Sequence, residues 1–387
     1  MAASEHNIDI KRLLRGYDEA ERLPKDFNAQ RTVPDFAFNI LNQAGLLYRP
    51  VADEYHLARG GAKPAWPDGK PFAVCLTHDV DLVSLSCLRQ AVRRGALVFT
   101  PQLSPAERGR PLVKGVADLW HVVKYAGKPD PLHCYERWLA VEEEIGARST
   151  FFFWPGWKAV RKHHVSDCTY ELTDRLVFDG QKCTVAEMAR EIDRRGWEIG
   201  LHPSWYSFDD AGEIKRQKAA LEAALGHEIV SIRQHFLHHD IRVTPRVQAE
   251  AGFRFDSTLG FNDNVGFRFG TSYPWRLFDL KNEAELPLLE IPLIIQDGAL
   301  LCPDKGLRLD EGAAFQYLAQ ITQAVAGVGG ALTLIWHPHQ IRDKAWWDLY
   351  LRALRYLKDE NGWFCSIREL GEYWTGRNDQ IRTSPDK

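Results

Sequence analysis

The chain has 387 residues, with 49 Lys+Arg against 52 Asp+Glu and a formal net charge of −3. An apolar share of 45% supports a sizeable core, near-zero charge disfavours a nucleic-acid binder, and no apolar run reaches the roughly 18 residues of a membrane span. The N-terminal MAASEHNIDIKRLL lacks the basic-then-apolar layout of a secretory signal, so the expectation is a soluble, cytoplasmic protein.

Residues 1–65 read as a helical extension or cap, with a helix near 36–46 and a loop, GGAKPAWPDGK, behind it. The first strand, PFAVCLT, runs into HDVD. An insertion at about 85–130 follows and carries Arg89, Arg93, Arg94, Arg108 and Arg110. The plain expectation for it is a solvated, partly helical excursion. The sharper one is contact with an anionic ligand or a membrane surface. From 137 onward a unit repeats: a helical stretch ends at Gly, and a short apolar strand with a polar far end comes next. RWLAVEEEIG leads to STFFF, TVAEMAREIDRRG to WEIGL and His202, and EIKRQKAALEAALG to HEIVSI and Arg233. TPRVQAEAG leads to FRF and Asp256, and a helix ending in GVGG leads to ALTLIW and His337. In the second of these helices Thr184 suits the N-cap and Gly196 a left-handed stop. A last helix containing Trp346 and Trp347, read as packing residues, precedes WFCSI, and 377–387 reads as a tail.

Helices alternating with strands predict an α/β fold with a parallel sheet, open or closed into a barrel, over about 66–376. In both architectures functional groups collect at the carboxyl ends of the strands. Six strands end in His, Asp or Arg, which points to one shared site.

Asp79 and Asp81 are two apart after an apolar strand, so they face the same side and require a cation or a shared proton. His202 follows WEIGL as a candidate first-row metal ligand. Arg233 and His235 are again two apart, and Arg233 can hold a carboxylate ionised. His337 and His339 repeat the spacing, and one of them can donate a proton to a leaving amine. Asp plus two His describes a zinc site for hydrolysis, with Asp79 as base and His337 as acid. No nucleophile elbow, Walker loop or dinucleotide fingerprint is present. Seven scattered cysteines without a CxxC pair read as reduced, mostly buried thiols. Thirteen Trp against two Met suit either a sugar-binding cleft or core filling.

These residues resemble the polysaccharide deacetylase superfamily (carbohydrate esterase family 4) from about 71 to 368. THDVD is similar to its first motif, STFFFW to the strand after it, GWEIGLHPSWYS to the second and SIRQHF to the third. FDSTLG stands where the fourth motif's Asp lies, and LTLIWH is similar to the fifth. The resemblance implies an irregular (β/α) barrel. It implies Asp79, His337, Arg233 and Asp256 as catalytic residues, and Asp81 and His202 as metal ligands. The family's usual second metal His lies four residues after the first, where this chain has Tyr206. Its third motif usually has Pro where this chain has His235, so His235 is expected to complete the ligand set. The metal implied is zinc, with cobalt, nickel or iron as alternatives.

Around the strand ends, Trp154, Trp157, Trp205 and Trp336 are candidates to stack a sugar. Tyr206 and His339 are candidate substrate contacts, as are His164, Asp167 and Tyr170 in the loop RKHHVSDCTY. Asp297 in LIIQDG is a weaker candidate for the cleft. The resemblance implies removal of an N-acetyl group from an amino sugar in a glycan or carrier-linked precursor. Hydrolysis of a non-sugar amide or formyl group, and a non-catalytic carbohydrate-binding barrel, are the alternatives. The sequence is silent on oligomeric state.

Overall fold

The computed structural model describes residues 8–24, 35–99 and 109–383. The N-terminal helices α1 (Ile10–Arg15), α2 (Tyr17–Arg22), α3 (Ile40–Gln43) and α4 (Val51–Ala58) are short. Buried polar contacts fasten them to the segment 260–275. Arg268 meets Glu19 at 2.8 Å, Asn39 donates to the Arg268 carbonyl, and Asp53 accepts from the backbone and hydroxyl of Ser272.

Beyond them the chain alternates as its periodicity predicts. Strand β1 (Ala73–Val80) is followed by helices α5 (Leu88–Ala96), α6 (Gly109–Lys124) and α7 (Tyr135–Glu144). Next come β2 (Thr150–Phe153), a hairpin of β3 (Arg175–Phe178) and β4 (Gln181–Thr184), α8 (Val185–Arg194) and β5 (Glu198–Leu201). Helix α9 (Ala211–Leu225), β6 (Ser231–Ile232), α10 (Thr244–Glu250) and β7 (Phe255–Asp256) continue the pattern. It is interrupted by the antiparallel β8 (Trp275–Asp279) and β9 (Ala284–Glu290). After these stand β10 (Ile295–Gln296), α11 (Asp297–Leu301), α12 (Glu311–Val328), β11 (Ala331–Ile335), α13 (Lys344–Asp359) and β12 (Trp363–Cys365). Helix α14 (Ile367–Thr383) runs on across the predicted boundary at 376.

Ten strands form one sheet in the order β10-β11-β1-β2-β5-β6-β7-β9-β8, with β12 also paired to β1. All pairings but β8–β9 are parallel. Every residue of β1, β2, β5 and β11 is buried, as expected of parallel strands covered on both faces. The main apolar core lies between sheet and helices. A second cluster around Trp66, Phe152, Phe255 and Leu289 fills the other face, where Trp66 stacks on Trp374.

Local signals account for the element ends. Thr184 forms a capping box with Glu187 at the start of α8, and Gly196 closes the turn beyond it at φ +96°. Register then sets the site. Phe153 pairs with Leu201, Leu201 with Ile232, and Ile232 with Asp256. The residues just past these pairs therefore emerge at one rim of the sheet.

Candidate metal centre

That rim brings together Asp79 and Asp81 from the end of β1, His202 after β5, Arg233 and His235 after β6, and His337 after β11. His78, between Thr77 and Asp79, points the opposite way, as strand alternation requires. It is wholly buried, 2.7 Å from the Trp336 carbonyl and 2.6 Å from Glu142.

Arg233 is wholly buried and fully engaged. It donates to Thr77 Oγ1 (2.6 Å), Asp79 Oδ1 (3.0 Å), the Ser257 carbonyl (2.7 Å) and Ser257 Oγ (2.8 Å). The Phe152 ring lies 4.5 Å from the guanidinium carbon. Asp79 is thus held through one oxygen, and its other oxygen lies 3.8 Å from His202 Nε2.

The two buried histidines face each other. His202 Nδ1 is 2.8 Å from the Arg233 carbonyl, and His235 Nε2 is 2.8 Å from the Ser166 carbonyl. A carbonyl only accepts, so each of these nitrogens carries the proton and the other nitrogen keeps its lone pair. The two lone-pair nitrogens are 2.9 Å apart, and Asp81 Oδ1 is 3.3 Å from one and 3.6 Å from the other. Lone pairs so close repel unless a cation or a proton lies between them. Tetrahedral zinc with ligands at about 2.0–2.1 Å sets its ligand atoms about 3.4 Å apart, close to these separations. Asp81, His202 and His235 therefore fit a divalent first-row metal. Cys168 was grouped by sequence with the inert thiols, yet its Sγ is 3.8 Å from Asp81 Oδ1. One ligand atom from each of Asp81, Cys168 and His235 lies within 4.8 Å of the other two.

The electrostatics agree with a site arranged around positive charge. Burial alone would raise the Asp81 carboxyl, but the surrounding imidazoles of His202, His235 and His337 hold it well below the usual range. Burial pushes His235 down to about 4. His337 moves the other way. Burial opposes its charge, yet Asp297 outweighs burial and lifts the imidazole to about 9. Asp297, a weak candidate by sequence, is wholly buried behind His337. It accepts from the His337 backbone N–H at 2.8 Å and lies 2.7 Å from its Nδ1. The other ring nitrogen, Nε2, is 3.7 Å from Asp81 Oδ2, on the site side.

A cleft of about 180 Å³ opens here, lined by Asp79, Asp81, His202, His337 and His339. Phe236 and Trp346 also line it. Phe236 is 41% exposed and sits at φ +57°, a left-handed conformation that costs a bulky residue of order 1–3 kcal/mol. No sequence signal marks that backbone. Trp346, read as packing, is mostly buried but reaches the cleft wall.

Several predicted residues lie elsewhere. Trp154 and Trp336 are buried and present no face to a sugar: Trp154 packs edge-on to His235, and Trp336 donates to the Trp346 carbonyl. Trp205 is sandwiched between His164 (4.3 Å) and His238 (4.1 Å), which occupy both indole faces. Tyr206 lies beneath Lys162 Nζ at 3.9 Å, and Trp157 stacks on His163. Asp167 and Tyr170 are buried and hold the loop, Asp167 through the backbone N–H groups of His164 and Trp205, Tyr170 through that of Trp154. Asp256 is buried beside Arg233, hydrogen-bonded to Thr258, and does not line the cleft. None of these four tryptophans lines the cleft.

The structure is similar to a protein assigned as a polysaccharide deacetylase from Mycobacterium smegmatis. TM-score is 0.54 and identity 22%, over 82% of this chain and 95% of that one. The fold is that of the polysaccharide deacetylases. A second protein so assigned, from Pseudomonas aeruginosa PAO1, matches at TM-score 0.51 and 16% identity, over 84% of this chain and 96% of that one. An allantoinase matches at TM-score 0.50 and 15% identity, over 84% and 95% of the respective chains. No family model and no curated protein matches the chain by sequence. The deacetylase fold supplies the strand rim, and this chain's departure from the usual motif is spatially compact: His235, rather than the position of Tyr206, faces His202.

Proposed function

We propose that the protein is a metal-dependent hydrolase that removes an N-acyl group, acetyl in the first instance, from an amino sugar. The observation that carries this reading is the convergence of Asp81, His202 and His235 between an Arg233-held carboxylate and an Asp297-held imidazole. A divalent cation at the three ligands would polarise the amide carbonyl and make water acidic enough to be deprotonated near neutral pH. Asp79 takes the water proton on the oxygen that Arg233 leaves uncovered. His337, charged through its Asp297 partner, delivers a proton from Nε2 to the departing nitrogen. The C–N bond breaks, the acyl group leaves as the acid, and the sugar retains a free amine. Phe236 and His339 bound the space in which the sugar ring would lie.

Hydrolysis of a non-sugar amide is the second reading, since an allantoinase shares the fold at similar TM-score. Metal analysis by mass spectrometry comes first. About one equivalent is expected in the wild type, with loss in Asp81→Ala, His202→Ala and His235→Ala. Retention of metal in His235→Ala would remove His235 from the ligand set. Acetate release from N-acetylated amino sugars, measured beside ureides and formamides, then separates the two readings.

A further inference from the structure

The insertion after β1 folds as a pair of helices, and its surface runs against the usual pattern. Eleven large apolar side chains are exposed among the described residues, and nine of them are on this one unit: Leu88, Val92, Phe99, Leu112, Val113, Val116, Leu119, Trp120 and Val123. On α6 the sequence LVKGVADLWHVV makes a stripe at helical spacing, 112, 116, 119 and 123, with 113 and 120 beside it. In most amphipathic helices that stripe faces the core. Here Pro111 and Gly115 are the buried positions, and the stripe faces solvent, with Phe99 81%, Val123 75% and Trp120 59% exposed. Gly115 permits this arrangement. A Cβ there would meet the Gly95 Cα of α5 at 3.1 Å, so the two helices cross at their glycines and turn their larger residues outward.

Charge gives the face its partner. Arg89, Lys124 and Lys128 are exposed on the same unit. Asp118, the only carboxylate among the described residues of α5 and α6, is held by Arg94 at 2.6 Å. The expected role of the arginines is revised in part: Arg93 is engaged with Asp174, as Arg94 is with Asp118, and neither is available to an external anion. Arg108 and the side chain of Arg110 lie outside the described residues. Exposed apolar area with a tryptophan and flanking cations is the composition of a segment lying in a lipid interface. Twofold pairing with a second copy would bring those cations together, which the same charge pattern disfavours.

We propose that the α5–α6 hairpin docks on an anionic membrane surface, with the apolar stripe of α6 seated at headgroup level and the lysines against lipid phosphates. The unit leaves β1 at the rim that carries Asp81, and Arg93 and Arg94 fasten it to Thr169 and Asp174, beside Cys168. Docking would hold the cleft close to the bilayer, where a substrate on a lipid carrier would be presented. The docking itself does not depend on the hydrolase reading.

Co-sedimentation of the full-length protein with vesicles tests it, using phosphatidylcholine alone and phosphatidylcholine with about a third phosphatidylglycerol. The expected result is pelleting with the anionic vesicles that falls with added salt, and a loss of about tenfold or more in Trp120→Glu/Val123→Glu. Lys124→Glu/Lys128→Glu should lose the preference for anionic lipid, with unchanged circular dichroism confirming the fold in both variants. Absence of wild-type pelleting would overturn the proposal. So would equal pelleting in both variants, or a dimer abolished by Trp120→Glu/Val123→Glu without any lipid binding.

Discussion

His337 and Asp297 show how one residue's chemistry is set by another that never reaches the cleft. The carboxylate fixes Nδ1 as the protonated nitrogen, aims Nε2 at the site and lifts the imidazole to about 9. In the mechanism we propose, His337 donates its proton and must be charged, so activity should fall as pH rises through that value. Replacing Asp297 with Asn keeps a hydrogen-bonding group but removes the stabilising charge. The alkaline limb of the rate profile should then move toward lower pH, and turnover near pH 8 should drop by about ten- to a hundredfold. Metal content should remain unchanged, because Asp297 touches no ligand. A pH profile that does not move in Asp297→Asn would show that His337 is not the acid.

At the scale of elements, the site depends on strands spaced closely enough to share a rim, and Gly200 leaves no room for a side chain between β2 and its neighbours. A Cβ on Gly200 would meet the Phe152 ring at 2.6 Å and the Ser231 carbonyl at 3.2 Å. Phe152 in turn supports Arg233, which holds Asp79. Gly200→Ala should therefore cost about 1–3 kcal/mol in thermal unfolding and lower activity beyond what that loss of stability explains. Unchanged stability and activity would mean that β2 and β5 separate more easily than their packing suggests.

Much of this level was legible in the sequence, because helix caps and apolar strands are local signals. Thr184, Gly196 and the polar ends after β5, β6 and β11 could be read without coordinates. The antiparallel β8–β9 pair was not, since WRLFD and AELPLLE carry no turn signature that separates them from a loop. Asp297 and Cys168 were undervalued because their partners, His337 and Asp81, are distant in sequence. The stacking of His164 and His238 on Trp205 could not be read either, because indole composition says nothing of which rings lie against it.

For the whole molecule, the buried acids behind the site couple stability to pH. Glu290 is wholly buried and its carboxyl lies well above the usual range, first from burial and then from the nearby charge of Asp256. Burial raises Asp256 itself to about 6. A carboxyl raised on folding binds a proton that the unfolded chain has already released. Its contribution is fully present below the ordinary carboxylate pKa and is lost as pH climbs through the raised value. His337 works in the same direction: its contribution is complete below the ordinary histidine pKa and is lost as pH rises through about 9. A decline of melting temperature with alkaline pH in the wild type alone would therefore not identify its source. Glu290→Gln isolates one. Gln can still accept from the Leu259 backbone N–H, which Glu290 accepts at 2.9 Å, and can offer a hydrogen to Asp256 without carrying an ionisable proton. One pKa unit corresponds to about 1.4 kcal/mol, so the variant should equal or exceed the wild type near pH 8 by that order. Its melting temperature should also fall less steeply between neutral and alkaline pH. Parallel curves for the two proteins would place the proton elsewhere than on Glu290, among Asp256, Asp167 and His337.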